Sequence, residues 1–413
     1  MMKSEKKIRI GILIGSAYGI VIGLSLNNLP LWICVGIALG AVVGVTFKLK
    51  KYPKVKWTLI SVVSLLVLLI SFGAWFINLL PLEEMKKDLT TSKVEDISYV
   101  SENRIPKRGK ILTVVTSKAA MGSSGKSTGY ELTELSRAYY VFEANGFEVD
   151  VASPLGGKPP VVLDDDDMGI FDYAFLNDSI AQIKTSHTIA MDDVNAEEYQ
   201  AIFFVGGKGA MFDFPENKAI QEIVKKYYQS GKVVGAVCHG PAALVNVTLD
   251  NGIHLLKNKT VSSFTNEEEL FLIPNAKTIF PFLLQDKLAS QGAQFNKGAM
   301  YLETISHDKN LVTGQNPWST WKLAETIIQQ LGYTPKYREI TGEENAGKVL
   351  LVYEKEGLTK AKELIDKLLV QEKKPVDRLL LTLHSVIAGM QGKIGRSFSL
   401  LGLVSHAKKK SKN

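Results

Sequence analysis

The chain has 413 residues, too many for one ordinary small domain, so two or three units are expected. Its formal net charge of +7 does not point to nucleic acid, because much of the excess sits in two N-terminal flanks and the closing KKKSKN, with no basic stripe interleaved with aromatics between them. Two cysteines, Cys34 in an apolar run and Cys238 far downstream, offer no disulfide framework.

Three apolar runs come first in the chain: Ile10 to Leu26, Pro30 to Phe47 and Trp57 to Leu80. Each approaches the length that crosses a hydrocarbon core about 30 Å thick, and residues 1–80 read as three transmembrane helices in the lipid bilayer. No small-residue cleavage site follows the first run, which argues against a removed signal peptide. Glycine recurs at every fourth position, Gly11, Gly15, Gly19 and Gly23 in one run and Gly36, Gly40 and Gly44 in the next. That spacing lines up a groove where a neighbouring backbone can approach, although glycine is also simply common in membrane helices. Lys3, Lys6, Lys7 and Arg9 precede the first run, and Lys48, Lys50, Lys51, Lys54 and Lys56 lie around the second loop. By the positive-inside rule both segments are cytoplasmic, which makes the protein a multi-pass protein of the cell membrane with its large domain extracytoplasmic.

Residues 81–109 are polar with scattered prolines and read as a linker. From Lys110 to about residue 335, β-branched runs (ILTVV, FEVDVAS, AIFFVGG, KVVGAVC, KTVSSF) alternate with helical stretches such as ELTELSRAYYVFEANG and NKAIQEIVKKYYQSG, both ending in glycine. The alternation predicts an α/β domain with a mostly parallel sheet sandwiched by helices, whose ligands bind at the carboxyl ends of the strands. Four aspartates at 164–167 follow a Gly/Pro-rich turn and read as a solvated loop rather than a metal site, since consecutive side chains diverge. Residues 336–413 form an extension: NAGKVLLVYEKEG reads as a strand, LTKAKELIDKLL as an amphipathic helix, and RLLLTLHSVIAGM as apolar on most faces. A helix lying on a membrane surface with a basic flank is one account of that last segment, and packing against the domain or a second chain is another.

In GAVCHGPAAL a buried strand gives way to a predicted helix, and Cys238 sits at the bend. A side chain there is thrust up at the end of the sheet, and helix N–H groups would favour its thiolate and make it a reactive, low-pKa thiol. A lone cysteine in such a domain is otherwise a small buried hydrophobe. The other histidines, His187, His254, His307, His384 and His406, have no ligand spacing, so no metal is expected.

The stretches STGYELTELSRAYYVFEANGFEVDVASPLGG, VGGKGAMFDFPEN, GAVCHGPAAL, SFTNEEE, PFLLQDKL and LVTGQNPWS resemble, in order and spacing, the DJ-1/PfpI superfamily, also called ThiJ/PfpI or class I glutamine amidotransferase-like. The likeness is closest to its heat-shock glyoxalase III branch and covers residues 110–332. It implies a flavodoxin-like fold with Cys238 as nucleophile, Glu134 as the acid beside the thiol, and His239 with Glu269 completing a triad, Glu268 being the alternative third member. It also implies an oxyanion site from the backbone around Gly207 and Lys208 with the His239 N–H. Lys208 stands where that branch usually has histidine, which would favour an anionic substrate or intermediate.

The function implied is a lyase of the glutathione-independent glyoxalase III type, or a deglycase, acting on a small carbonyl such as methylglyoxal with no cofactor. A cysteine amidase, peptidase or amidotransferase-like hydrolase is the first alternative. A non-catalytic redox sensor or chaperone-like stress protein is the second. By analogy with the superfamily a homodimer is implied as well.

Overall fold

The computed structural model describes residues 2–25, 29–46, 53–82, 88–164 and 167–411. They group into two compact units, Met1–Pro81 and Leu82–Asn413.

The first unit holds three helices, α1 (Met2–Ser25), α2 (Leu29–Thr46) and α3 (Pro53–Leu79). The glycine spacing works as a close-approach surface between α1 and α2. A Cβ placed on Gly15 would overlap the Gly36 carbonyl oxygen and fall 2.9 Å from the Gly40 backbone, so no larger residue fits. The three membrane spans expected from the sequence are not supported, because among the described residues no helix is long and apolar enough to cross a membrane. Lys3, Glu5, Lys6, Lys7 and Arg9 lie within α1, and α2 has 18 residues, or about 27 Å at 1.5 Å per residue. Lys48, Lys50 and Lys51, which carried the orientation, lie outside the described residues.

The second unit is built on a seven-stranded sheet: β1 (Gly109–Val114), β2 (Phe147–Ser153), β3 (Ile189–Ala190), β4 (Tyr199–Phe204), β5 (Val233–Val237), β6 (Ile305–Asp308) and β7 (Leu311–Gly314). The strand order is β6-β7-β5-β4-β1-β2-β3, and every pairing is parallel except β6 with β7. This is the mostly parallel α/β sheet that the alternation predicts, in the flavodoxin-like form that the family resemblance implies. The central strands are apolar throughout because both faces are covered; all five residues of β5 are buried. Among the covering helices are α4 (Leu132–Ala144), α5 (Lys218–Ser230) and, later in the chain, α7 (Thr320–Gln330), with the short helix α6 (Asn266–Leu272) between α5 and α7 in sequence. The Asn217 side chain caps α5 by accepting from the Ile220 N–H at 2.9 Å, and Gly231 ends the helix in the left-handed region at φ 79°.

Three elements depart from the sequence reading. KTVSSF supplies only Thr260–Val261, which pairs with Gln294–Phe295 outside the main sheet. Residues 92–101, read as part of a linker, fold onto the domain: Ile97 and Tyr99 are buried, and the Tyr99 hydroxyl accepts from Asn145 Nδ2 at 3.1 Å. NAGKVLLVYEKEG is helical, not a strand. It belongs to α8 (Gly342–Glu356), which opens with a reciprocal cap between Thr341 and Glu344 and buries Ala346, Val349 and Leu350 at helical spacing.

The extension continues with α9 (Leu358–Asp366), α10 (Arg378–Met390) and α11 (Ile394–Lys410). Two arginines tie it to the domain. Arg338 forks onto Glu344 with two bonds of 2.7 Å and stacks over the Trp321 ring, its carbon 4.0 Å from the centroid. Arg137 of α4, itself buried, meets Glu343 of α8 at 3.4 Å.

Candidate active site

Cys238 follows β5 directly and has φ 58°, a conformation costly for a residue with a Cβ. Two backbone bonds hold it there. Its N–H donates to the Gly314 carbonyl at the end of β7 (3.0 Å), and its carbonyl accepts the Phe264 N–H (2.9 Å). The strained bend aims the thiol at the carboxyl end of the sheet, as the sequence predicts.

His239 lies next to it with Nδ1 3.3 Å from the thiol sulfur and Nε2 2.6 Å from Glu269 Oε2. If Nε2 carries the proton donated to the carboxylate, Nδ1 is free to accept the thiol proton. The ring packs against Phe264, with centroids 4.7 Å apart. Cys238, His239 and Glu269 thus form one buried line.

Glu268 faces elsewhere. Its Oε2 accepts from the Thr265 N–H (2.9 Å) and hydroxyl (2.8 Å), and its Oε1 from the Tyr301 N–H (2.8 Å), Gln315 Nε2 (3.0 Å) and Asn316 Nδ2 (2.9 Å). It ties three loops together and makes no contact with His239.

Glu134 approaches from α4. Its Oε2 accepts the Gly206 N–H at 2.7 Å. A Cβ on Gly206 would lie 2.6 Å from that oxygen and 2.8 Å from the Cys238 Cβ, so carboxyl and thiol crowd one backbone point that only glycine can occupy. Burial pushes the Glu134 carboxyl well above its usual range, and the neighbouring Glu131 adds to the effect. Burial thus favours the protonated form of the Glu134 carboxyl.

The thiol differs from the low-pKa thiolate expected of it. Cys238 is only 5 % exposed, and burial pushes it well above the ordinary thiol value, Glu134 adding to this and Lys208 opposing it. The physical reason lies partly in the predicted helix after the bend. Pro241 stands in a single 3-10 turn, Gly240–Leu244, too short to build the dipole of a full helix.

Gly207 and Lys208 form the turn after β4. Gly207 has φ 96° and packs so closely on Gly129 and Tyr130 that a side chain there would overlap their backbone. Among the described residues the N–H groups of Gly207, Lys208 and His239 donate to no backbone carbonyl, which leaves them available as oxyanion donors.

The sequence reading missed Glu131. Its N–H donates to the Gly206 carbonyl (3.3 Å), and its half-buried carboxyl is raised to about 7, by burial first and then by Asp164, with Lys208 opposing. The signal was present in YELTE, where two glutamates stand three residues apart at a strand-to-helix junction. The aspartate run is less solvated than expected. Asp165 and Asp166 lie outside the described residues, but burial raises Asp167 to about 7, and its carbonyl accepts from Arg137 at 2.6 Å.

Residues 126–330 match the model of the DJ-1/PfpI family, and residues 8–50 match that of the glycine zipper membrane proteins. A glutathione-independent glyoxalase of Saccharomyces cerevisiae is 33 % identical over 239 residues, covering 54 % of this chain and 98 % of the relative. Glyoxalase 3 of Candida albicans is 30 % identical over 237 residues, covering 53 % and 97 %. Among solved structures, the Rapid Encystment Protein 24 kDa of Francisella tularensis is 35 % identical with a TM-score of 0.51, covering 54 % of this chain and 99 % of that one. These relatives are matched over nearly their whole length, the family model spans the residues around Cys238, and the chain belongs to the DJ-1/PfpI family.

Proposed function

We propose that residues 110–335 are a glutathione-independent glyoxalase that converts a 2-oxoaldehyde such as methylglyoxal into the 2-hydroxy acid. One observation carries the reading: the strained Cys238 thiol lies between a hydrogen-bonded His239–Glu269 pair and the buried carboxyl of Glu134, whose protonated form burial favours.

The thiol adds to the aldehyde carbon and passes its proton to His239 Nδ1, whose other nitrogen is held by Glu269. The carbonyl oxygen meets the N–H groups of Gly207, Lys208 and His239 and takes the Glu134 proton, giving a hemithioacetal. The Glu134 carboxylate then removes the hydrogen on C1 while the protonated His239 gives its proton to the C2 oxygen, and Glu134 returns the hydrogen to C2 as the C1 hydroxyl passes its proton back to His239 and becomes the carbonyl. The product is a 2-hydroxyacyl thioester, which water hydrolyses to the acid and the free thiol. The balance is one oxoaldehyde and one water in, one hydroxy acid out, so electrons move only between adjacent carbons. The raised proton affinity of Glu134 suits an acid that must later act as a base. Lys208 adds a fixed positive charge beside the anionic enediolate and product.

The test is lactate formation from methylglyoxal without glutathione, run beside glutamine and peptide hydrolysis, in wild type and Cys238→Ser. Thiol-dependent hydrolysis of glutamine or peptide with no lactate would replace this reading by the hydrolase alternative.

Membrane attachment belongs to the same proposal. The glycine-zipper match over 8–50 and the α1–α2 backbone contact support it. The outward placement of the domain, expected from the lysines, goes with that reading. Protease shaving of intact cells tests it: a domain digested only after lysis lies inside.

A further inference from the structure

Glu134 is fully buried, and the reaction needs it to begin with a proton. Glu131, three residues earlier, is tied to the same glycine. Its N–H donates to the Gly206 carbonyl at 3.3 Å, and the Gly206 N–H donates to Glu134 Oε2 at 2.7 Å, so the two glutamates occupy both polar groups of Gly206. Tyr130 and Glu131 also pair in parallel with Val161 and Val162, which fixes the chain as it enters α4. Glu131 stands just before the first residue of that helix, yet its side chain caps nothing. One oxygen of each carboxyl, Glu131 Oε1 and Glu134 Oε1, is buried and accepts no hydrogen bond among the described residues. Two neighbouring carboxyls this short of donors resist carrying two negative charges at once, and a proton kept on one of them relieves the strain.

The surroundings decide which of the two keeps it. Glu131 is half-buried and faces Asp164 from the loop after residues 161–162, Lys208 from the turn after β4, Arg137 from α4 and Asp172 from Ile170–Asn177. Glu134 lies deeper, with only Glu131, Asp167 and the Cys238 thiol as titratable neighbours. Burial is the largest influence that keeps the proton on Glu134, and the charge of Glu131 is the next; the thiol and the Gly206 N–H pull the other way. Glu131 is thus the strongest support that any single side chain gives to the protonated acid.

We infer that Glu131 is a positioning residue of the reaction: its carboxylate, three residues before Glu134 and clasped to the same glycine, holds the transferable proton on Glu134 and so sets the alkaline limit of activity. The hold depends on pH in a definite sense. Burial first, then Asp164, raises Glu131 itself to about 7, so below neutrality it is uncharged and exerts no pull, and above neutrality it is a carboxylate and exerts its full pull. The part played in turnover rests on the glyoxalase reading, whereas the hold on the proton does not.

The experiment follows the infrared C=O stretch of protonated carboxyls in the resting full chain as pH is raised, in wild type, Glu131→Gln and Glu131→Asp. Subtracting the spectra of Glu134→Gln identifies the Glu134 band. That band should disappear at lower pH in Glu131→Gln than in wild type, while Glu131→Asp, which keeps the charge, should stay close to wild type. A second neutral variant, Glu131→Met, is read in the same way. In the lactate assay the loss of kcat caused by Glu131→Gln should be about tenfold greater at pH 9 than at pH 6. The same band titration in wild type and in the folded neutral variants, checked by circular dichroism, overturns the inference. So does a loss of kcat that is equal at the two pH values, which would make Glu131 a residue of the fold alone. If methylglyoxal yields no lactate, the glyoxalase reading falls, and the infrared titration still decides whether Glu131 holds the Glu134 proton.

Discussion

Glu268 accepts five hydrogen bonds of 2.8 to 3.0 Å from three loops, while Glu134 accepts one backbone bond of 2.7 Å and otherwise faces the Cys238 thiol. Both carboxyls are fully buried, so burial alone does not separate structural from chemical acids. The supply of donors does. A carboxylate ringed by N–H and O–H groups serves as a fixed anchor, whereas one with few donors holds its proton and can give it up when substrate changes its surroundings. Glu269, next to Glu268 in sequence, falls on the chemical side of this division, because its contact is the His239 ring.

Substitutions test that division directly. Cys238→Ser should have the largest effect, lowering kcat/KM for methylglyoxal by about 10⁴-fold or more with the melting temperature little changed. Glu134→Gln should cost about 10³-fold in kcat, because the amide keeps the shape but cannot shuttle a proton. A stopped assay with near-normal lactate production would move Glu134 to the structural side.

Glu268→Ala should behave in the opposite way. It strands donors from Thr265, Tyr301, Gln315 and Asn316 and releases Tyr301, which is held at φ 55°, so unfolding should become about 3 kcal/mol easier in denaturant titration. Glu269→Gln should leave that midpoint nearly unchanged and lower kcat by about thirtyfold, since the amide still accepts from His239 but no longer stabilises an imidazolium. If the two variants exchange effects, the neighbouring glutamates have been assigned the wrong way round.

Much of the site can be read from the sequence because it lies on strong local patterns. The β-branched run KVVGAVC, followed by glycine and proline, places Cys238 at a bend whatever the tertiary detail. The choice between Glu268 and Glu269 cannot be read this way. It depends on the short helix α6, which turns one side chain toward His239 and the next toward Tyr301 and Gln315. The thiol's environment is hidden for a similar reason: an apolar segment suggests a helix after Cys238, but the chain makes one tight turn and leaves again at Val245. In the fold, apolar runs and glycine stops mark the main strands and helices. The error at NAGKVLLVYEKEG arises because its apolar cluster reads as a strand until the Thr341–Glu344 cap, just upstream, sets the register of a helix.

The smallest predicted effect concerns a second pair of neighbours, Glu343 and Glu344 at the start of α8. Burial raises Glu343 to about 7, and the nearby Arg137 offsets this only in part, at 3.4 Å and with Asp172 also on the guanidinium. Burial also acts on Glu344, but there the two bonds from Arg338 and those from Thr341 outweigh it and hold the carboxyl below its usual value. The signs are opposite. A raised Glu343 contributes stability that is complete below about 4.5, the ordinary glutamate value, and is lost as pH climbs through about 7. A depressed Glu344 contributes stability that is complete above about 4.5 and is lost as pH falls through its lower folded value. Glu131 and Asp167, also raised to about 7, add to the first trend, each by at most about 1.4 kcal/mol per pH unit. Wild type should therefore melt at a higher temperature near pH 5 than near pH 8. Glu343→Gln should shrink that difference, and its benefit should grow with pH. Glu344→Gln should lower the melting temperature at both pH values and leave the difference between them intact. Thermal melts of the three proteins at the two pH values decide the matter: equal slopes for wild type and Glu343→Gln would mean that Arg137 neutralises Glu343 as fully as Arg338 does Glu344.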